Sequence, residues 1–326
     1  MRARLQGYLE SFSKLASNGP YSYPWVHHHD GGIHRTHIVF GIMVHGDEVG
    51  SLPAGLRIIQ ALTDKTIGFG GRVTFFIGNP EAGLANKRFL ESDLNRVFLD
   101  NDSQNHESVR ARQIMPILDD CDVFIDFHQT ILRTEQPFYI FPWNTDGWAW
   151  ARALQAAKVW VTRHPGQSFS TGTMCADEYV RQQAKPGLTI ELSEKGFSPT
   201  AEDIAYRAIV DALTLCDQIH QGKTTLHSFA KTKPDLTFYH TIHREAFVDP
   251  RLTLQPGLSN FRAVLKGDSL SSGDTPTLIA PESGMLLFPK YPPRKAGLAQ
   301  HPKPKEIYRI IAELPGHPKD LYTDTQ

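Results

Sequence analysis

The sequence predicts an α/β protein, with a mixed, largely parallel sheet flanked by helices over residues 1–228 and a smaller β-rich domain over residues 229–326. Three observations predict it. Short, nearly continuous apolar runs such as His37-Ile38-Val39-Phe40-Gly41-Ile42-Met43 have the texture of strands covered on both faces. Such runs alternate with stretches of helical spacing, and that alternation builds a parallel sheet. Beyond the polar, turn-rich segment Lys223 to Pro234, the texture changes to short strands punctuated by Pro256-Gly257, Gly267-Asp268 and Pro281-Glu282-Ser283-Gly284.

The first strand, His37 to Met43, ends near Gly46. Glu48 to Leu62 then carries Val49, Leu52, Leu56, Ile59 and Leu62 at helical spacing, with Pro53 close to the first turn. Val73 to Ile77 is the next strand, followed by a helix from about Glu107 to Leu118 and a strand from Val123 to Phe127. Phe138 to Phe141, a helix near Trp148 to Ala157, Val159 to Val161 and Leu188 to Leu192 continue the series. A helix from about Ala201 to Ile219 closes it, and Thr237 to His243 and Met285 to Phe288 read as strands of the tail. His27-His28-His29, with His34 and His37, lacks an acidic or cysteine partner and reads as a polar loop. Trp143, Trp148 and Trp150 read as packing residues.

At 326 residues the chain exceeds the usual size of one domain. Hydrophobic residues at 40% and charged residues at 21% argue against long disorder. Lys+Arg 34 against Asp+Glu 35 leaves no overall field to draw in nucleic acid or an anionic membrane. The first twenty residues mix Arg2, Arg4, Glu10 and Lys14 with isolated apolar residues, without the apolar core of a signal peptide. No stretch approaches the roughly 18 apolar residues that a spanning helix requires. A cytoplasmic protein that engages neither membrane nor nucleic acid is expected, with a homo-oligomer left open. Cys121, Cys175 and Cys216 are widely spaced and form no CxxC pair, so buried reduced thiols are expected.

The chemistry concentrates where strands hand over to the next element. His45 and Glu48 follow the first strand, at the edge of an open sheet where ligands bind. An imidazole and a carboxylate three residues apart across a turn can both reach one ion; alternatively Glu48 only complements a helix dipole beside an exposed histidine. His128 ends the strand Val123 to Phe127, and Asp126, two residues earlier, faces the same side and can hold an imidazole in one tautomer. Three protein ligands with a fourth position open is the pattern of catalytic zinc. In Leu188-Thr189-Ile190-Glu191-Leu192, a carboxylate within an apolar strand is costly unless paired or functional, which makes Glu191 the candidate base, with Glu194 the alternative.

These residues resemble the succinylglutamate desuccinylase and aspartoacylase family, which shares its zinc site and fold with the metallocarboxypeptidases. The matching pieces are His45-Gly46-Asp47-Glu48, Gly78-Asn79-Pro80-Glu81-Ala82, Lys87-Arg88, Asp93-Leu94-Asn95-Arg96, Asp126-Phe127-His128 and Ile190-Glu191, in the family's order. In the tail, Gly257-Leu258-Ser259-Asn260-Phe261 and Ser283 to Pro289 look like its C-terminal β domain. The resemblance implies one zinc ion per chain held by His45, Glu48 and His128, with Glu191 as general base and then acid and Arg88 facing the oxyanion. It implies that Asn95 and Arg96 bind a carboxylate of a small N-acyl amino acid, and it suggests a second carboxylate-binding arginine at Arg181, where a surface arginine is the other reading. Asp93 would cap the turn that presents Asn95 and Arg96. Leu192-Ser193 stand where family members more often have a glycine two residues after the glutamate, which bears on the shape of the acyl pocket. The function expected is hydrolysis of an N-acyl amino acid's amide bond; the rivals are a metallocarboxypeptidase acting on peptides and a zinc-binding scaffold without turnover.

Overall fold

Apolar runs become the middle of a sheet and amphipathic stretches its covers. The computed structural model describes residues 2–17, 19–100, 102–169, 172–273, 276–300 and 304–322. The strands in chain order are β1 (Val26–Asp30), β2 (His37–Ile42), β3 (Arg72–Ile77), β4 (Val123–Thr130), β5 (Phe138–Ile140), β6 (Val159–Val161), β7 (Gly187–Glu194), β8 (Thr237–Ala246), β9 (Ala263–Val264), β10 (Gly284–Leu287), β11 (Arg294–Lys295), β12 (Leu298–Ala299) and β13 (Glu306–Glu313). The helices are α1 (Arg2–Leu15), α2 (Leu52–Thr63), α3 (Pro80–Leu84), α4 (His106–Asp119), α5 (Thr145–Leu154), α6 (Ala176–Arg181), α7 (Pro199–His220), α8 (Leu226–Lys231) and α9 (Pro318–Leu321).

Among the described residues, one sheet runs β1-β3-β2-β4-β7-β5-β6-β8-β13-β10-β9, and β11 pairs with β12 apart from it. The block β3-β2-β4-β7 is parallel, as is β5-β6-β8. β7 and β5 run antiparallel, as do the pairs at both edges. Alternation along β2 divides the core: Ile38, Phe40 and Ile42 pack on one face with residues of α1, α2 and α7, while Val39 packs on the other with residues of α4 and α6. A third cluster, from Leu252 to Ile310, lies within the C-terminal segment. The sheet itself crosses residue 228, because β8 pairs with β6 on one side and β13 on the other. A fourth cluster joins Phe138, Ile140 and Val161 to Tyr239, Leu287 and Ile311 across that boundary, so the division into 1–228 and 229–326 stays a proposal that rests on the separate C-terminal cluster.

Four local expectations change. The helix after the first strand begins at Leu52 and not at Glu48, because Glu48 closes a turn through its N–H to His45 O at 3.1 Å. The helix expected near Trp148 begins at Thr145, where the Asn144 side chain accepts from Gly147 N. The histidine tract is not a loop: Val26–Asp30 forms edge strand β1, antiparallel to β3. The polar segment before Pro234 contains α8, capped by the Thr225 side chain on Ser228 N. Among the described residues no helix is long and apolar enough to cross a membrane.

Candidate active site

The loop after β2 presents His45 and Glu48 beside His128, which lies near the carboxyl end of β4. Gly46 lets that loop pass close to α3, since a Cβ there would sit 2.3 Å from Gly83 N, and its N–H donates to Arg88 O at 2.8 Å. The next strand, β7, is parallel to β4 with Glu191 in register beside His128. Neighbouring strands lie about 4.8 Å apart, so this register fixes Glu191 next to the imidazoles. The four residues are buried.

His45 Nδ1 lies 2.9 Å from Glu48 Oε1, His128 Nδ1 lies 2.8 Å from Glu48 Oε2, and the two Nδ1 atoms are 3.2 Å apart. The outer ring nitrogens face carboxylates: His45 Nε2 is 3.0 Å from Asp93 Oδ1 and His128 Nε2 is 2.8 Å from Asp126 Oδ2. Where each carboxylate accepts an Nε2–H, the Nδ1 atoms are left to face the site; Arg88 Nη2 also lies 2.7 Å from His45 Nε2. Two ring nitrogens this close beside a carboxylate need a proton or a metal ion to bridge them. Two nitrogens on one tetrahedral zinc are about 3.3 Å apart, given Zn–N bonds of about 2.0–2.1 Å, so the observed separation fits that ion. One ligand atom from each of His45, Glu48 and His128 falls within 4.8 Å of the others, a cluster able to hold a metal ion.

The surrounding charge favours a cation too. Burial opposes ionisation of Glu48, yet the charges of His45, His128 and Arg88 outweigh it and hold its carboxyl well below the usual range. Asp93 is held down in the same way, by His45 and Arg88 against burial. For His128 burial works against the proton, but Asp126 and Glu48 prevail and its pKa lies well above the ordinary value, so a metal ion bound there would take the place of a proton. Glu191 is pushed up to about 7 by burial and then by the charge of Glu48, and its buried Oε2 has no hydrogen-bond partner among the described residues.

Arg88 reaches Glu48 Oε1 through Nη1 at 2.7 Å and Asp93 Oδ2 through Nε at 3.4 Å, at the rim of the ligand cluster. Asn95 and Arg96 sit in a single helical turn capped by Asp93, whose side chain accepts from Asn95 N. The Asn95 side-chain oxygen accepts from Ala176 N at 2.8 Å. Arg96 donates to Asn95 O and Cys175 Sγ and, among the described residues, forms no salt bridge, although its charge reaches Asp93. Glu48, Arg88, Asn95, Arg96 and Cys175 line one cavity of about 180 Å³, whose wall also takes in Asn260, Phe288, Pro289 and Lys290.

Residues 36–215 match the family model of the succinylglutamate desuccinylase/aspartoacylase catalytic domain. The chain belongs to the succinylglutamate desuccinylase/aspartoacylase family. A succinylglutamate desuccinylase of Shewanella piezotolerans is 31% identical over 278 residues, covering 78% of this chain and 78% of that protein. A Nostoc protein named "Probable aspartoacylase" is 39% identical over 82 residues, 20% of this chain and 28% of that protein's length. The match to that relative thus takes in less than a third of it. A crystal structure of a Rhodobacter sphaeroides succinylglutamate desuccinylase/aspartoacylase superposes with a TM-score of 0.65 at 18% identity, covering 92% of this chain and 89% of that one, which shows the shared fold.

Within this family member, the structure brings seven of the eight residues singled out in the sequence to the cavity: His45, Glu48, Arg88, Asn95, Arg96, His128 and Glu191. It does not bring Arg181 there. On short helix α6, Arg181 reaches Asp177 one turn back at 2.5 Å and Gly187 O at 2.8 Å, and it lines a separate cleft. The cavity arginine that sequence reasoning missed is Arg163, just after β6, with no motif around it to mark it. Gln129 was missed as well. Its backbone N–H donates to Glu48 Oε2 at 3.0 Å while its side chain accepts from Gly50 N at 2.7 Å, so it fixes the loop to the ligand. The apolar run ending in Asp126-Phe127-His128 carried a signal for it, since whatever follows a ligand at a strand end sits in the same site.

Proposed function

We propose that this chain is a zinc-dependent amidohydrolase that splits the amide bond of a small N-acyl amino acid. The observation that carries the reading is the convergence of His45 Nδ1, Glu48 and His128 Nδ1 beside a buried carboxyl, Glu191, whose Oε2 is left unpaired. Zinc held by those three side chains would supply Lewis acidity, lowering the pKa of water towards about 7 and polarising the scissile carbonyl.

The chain's own residues do the rest. Glu191 takes the proton of the attacking water and returns it to the leaving nitrogen, a task suited to a carboxyl whose pKa lies near 7. Arg88 sets a fixed positive charge where the oxyanion develops, so it lowers the barrier more than it tightens binding. Arg96, in no salt bridge among the described residues, pairs with the carboxylate of the amino acid; Asn95, tied to Ala176 N, orients that turn. Asn260, Phe288 and Pro289 confine the cavity, which favours a small acyl amino acid over a peptide.

Two measurements test this. Glu191→Gln is expected to retain zinc at wild-type stoichiometry and to lose about 10²- to 10⁴-fold in kcat, the usual weight of a general base. Purified zinc-loaded protein is expected to release amine from N-acyl amino acids and not from blocked dipeptides. An active Glu191→Gln protein sinks the mechanism; preference for the dipeptides makes the chain a carboxypeptidase.

A further inference from the structure

Behind Phe169 lies a second polar cleft of about 350 Å³, which shares Ile140, Arg163 and Phe169 with the catalytic cavity. Arg163, Arg244 and Arg309 stand in its wall, and no carboxylate does among the described residues. The Phe169 ring lies between two of them, with the guanidinium carbon of Arg309 3.7 Å from its centre and that of Arg163 at 5.6 Å.

These cations are undercompensated. Glu306 is the carboxylate behind them, and it already serves Lys290 at 3.0 Å, Arg309 at 2.9 Å and Arg244 at 2.5 Å. Among the described residues Arg163 spends only Nε, on Gln167 O, and Arg244 spends only Nε, on Glu306. Arg309, 8% exposed, spends Nε and Nη2 on Glu306, which leaves Nη1. Burial, and after it the nearby charge of Arg181, brings the Arg163 pKa down to about 10, against the opposing charges of Asp177 and Glu178. Thr162, also in the wall and 2% exposed, has a buried hydroxyl with no partner among the described residues. Spare guanidinium donors and an orphaned hydroxyl are what an oxyanion satisfies and what protein groups ordinarily do not leave open.

We propose that this cleft is an oxyanion site, in which Arg163, Arg244, Arg309 and Thr162 hold a carboxylate or phosphate group next to the catalytic cavity. The anion has two sources with one chemistry: the far end of an acidic substrate reaching past Phe169, or a free anion. The binding itself does not rest on the deacylase reading; only the assignment of its source does.

The test titrates the zinc-loaded protein with inorganic phosphate by calorimetry, beside Arg244→Gln, Thr162→Val and Arg96→Gln, the last as a control for phosphate entering the catalytic cavity. Saturable binding is expected, weakened about tenfold or more by Arg244→Gln, the loss of one charge-assisted contact, weakened by Thr162→Val and unchanged by Arg96→Gln. Arg244 has a half-exposed side chain, and the fold of each variant is checked by circular dichroism; Thr162→Val carries the test should Arg244→Gln unfold. No saturable binding overturns the proposal, and so does binding that Arg96→Gln abolishes and the other two spare. Kinetics then names the source: a KM raised by Arg244→Gln only for substrates whose acyl chain ends in an acid assigns the anion to the substrate. Unchanged KM values with phosphate binding lost assign it to a free anion.

Discussion

Asp126 shows how much of the site depends on a residue that touches no substrate. It is buried on β4, holds His128 Nε2 through Oδ2 at 2.8 Å, and leaves Oδ1 without a partner among the described residues. Gly41 on β2 makes the room, since a Cβ there would lie 2.7 Å from Asp126 Oδ1. Asp126→Asn keeps the shape and removes the charge that stabilises the ligand imidazole. Zinc affinity is expected to fall about 10- to 100-fold while the unfolding midpoint of the metal-free protein holds, measured by competition with a chelator and by thermal melts. Unchanged affinity would mean that His128 is oriented by packing alone. Asp126 was legible because a strand has a period of two, so an Asp two residues before a strand-end His shares its face. Arg181 was misread for the opposite reason: ten residues of sequence do not say where a side chain points, and in α6 it turns back onto Asp177, four residues away. Arg163 lay outside any readable pattern, because three strand residues and an arginine state no purpose.

At the scale of elements, the central strands were readable because both of their faces are buried and the sequence must be apolar throughout. Edge strand β1 obeys no such rule. Its His27, His28 and His29 pair across to Phe75, Thr74 and Val73, and His28 Nδ1 and His37 Nε2 both approach Thr74 Oγ1 at 2.8 Å. Helix α1 was readable and passed over: Leu5, Leu9 and Phe12 are its buried face, at helical spacing. Strand β1 has a pH signature. Burial, then the neighbouring His37, lowers the His28 pKa to about 4, and burial lowers those of His27 and His37 too. In the unfolded chain a histidine titrates near 6.5, so these groups favour the folded state fully above about pH 6.5. That contribution fades as the pH falls through 6.5 towards 4, because the unfolded chain takes up protons that the folded edge refuses. Amide exchange in Val26–Asp30 is expected to accelerate over that window at constant intrinsic rate, and His28→Gln to lessen the effect. An edge equally protected at pH 4 and pH 7 would show that strand pairing, and not histidine burial, sets its stability.

For the whole molecule, the question is what the C-terminal segment does for a site whose ligands all come from β2, β4 and their loops. The sequence placed a change of texture near residue 228, yet whether the tail shares a sheet with the rest depends on pairings of β8 with β6 and β13, partners far apart in the chain that strand patterning alone does not name. Asn260 joins the two parts. It is 1% exposed, donates through Nδ2 to Leu132 O at 3.3 Å and Arg133 O at 3.2 Å, and accepts from Phe288 N at 2.7 Å. Those contacts tie the segment after His128 to the end of β10, so the metal ligands and the cavity's far wall move together. Asn260→Ala leaves the buried Phe288 amide without its acceptor, at a cost of about 1–3 kcal/mol in stability, while Leu132 O keeps Thr130 Oγ1 and Arg133 O keeps the backbone N–H of residue 260. If the wall shapes the substrate, the same variant raises KM for N-acyl amino acids severalfold and leaves zinc content untouched, because no ligand contact is lost. Steady-state kinetics beside metal analysis separates the cases: a destabilised variant with wild-type KM would reduce Asn260 to a structural clasp. A raised KM with full zinc would make the C-terminal wall part of how this enzyme family member selects a small substrate.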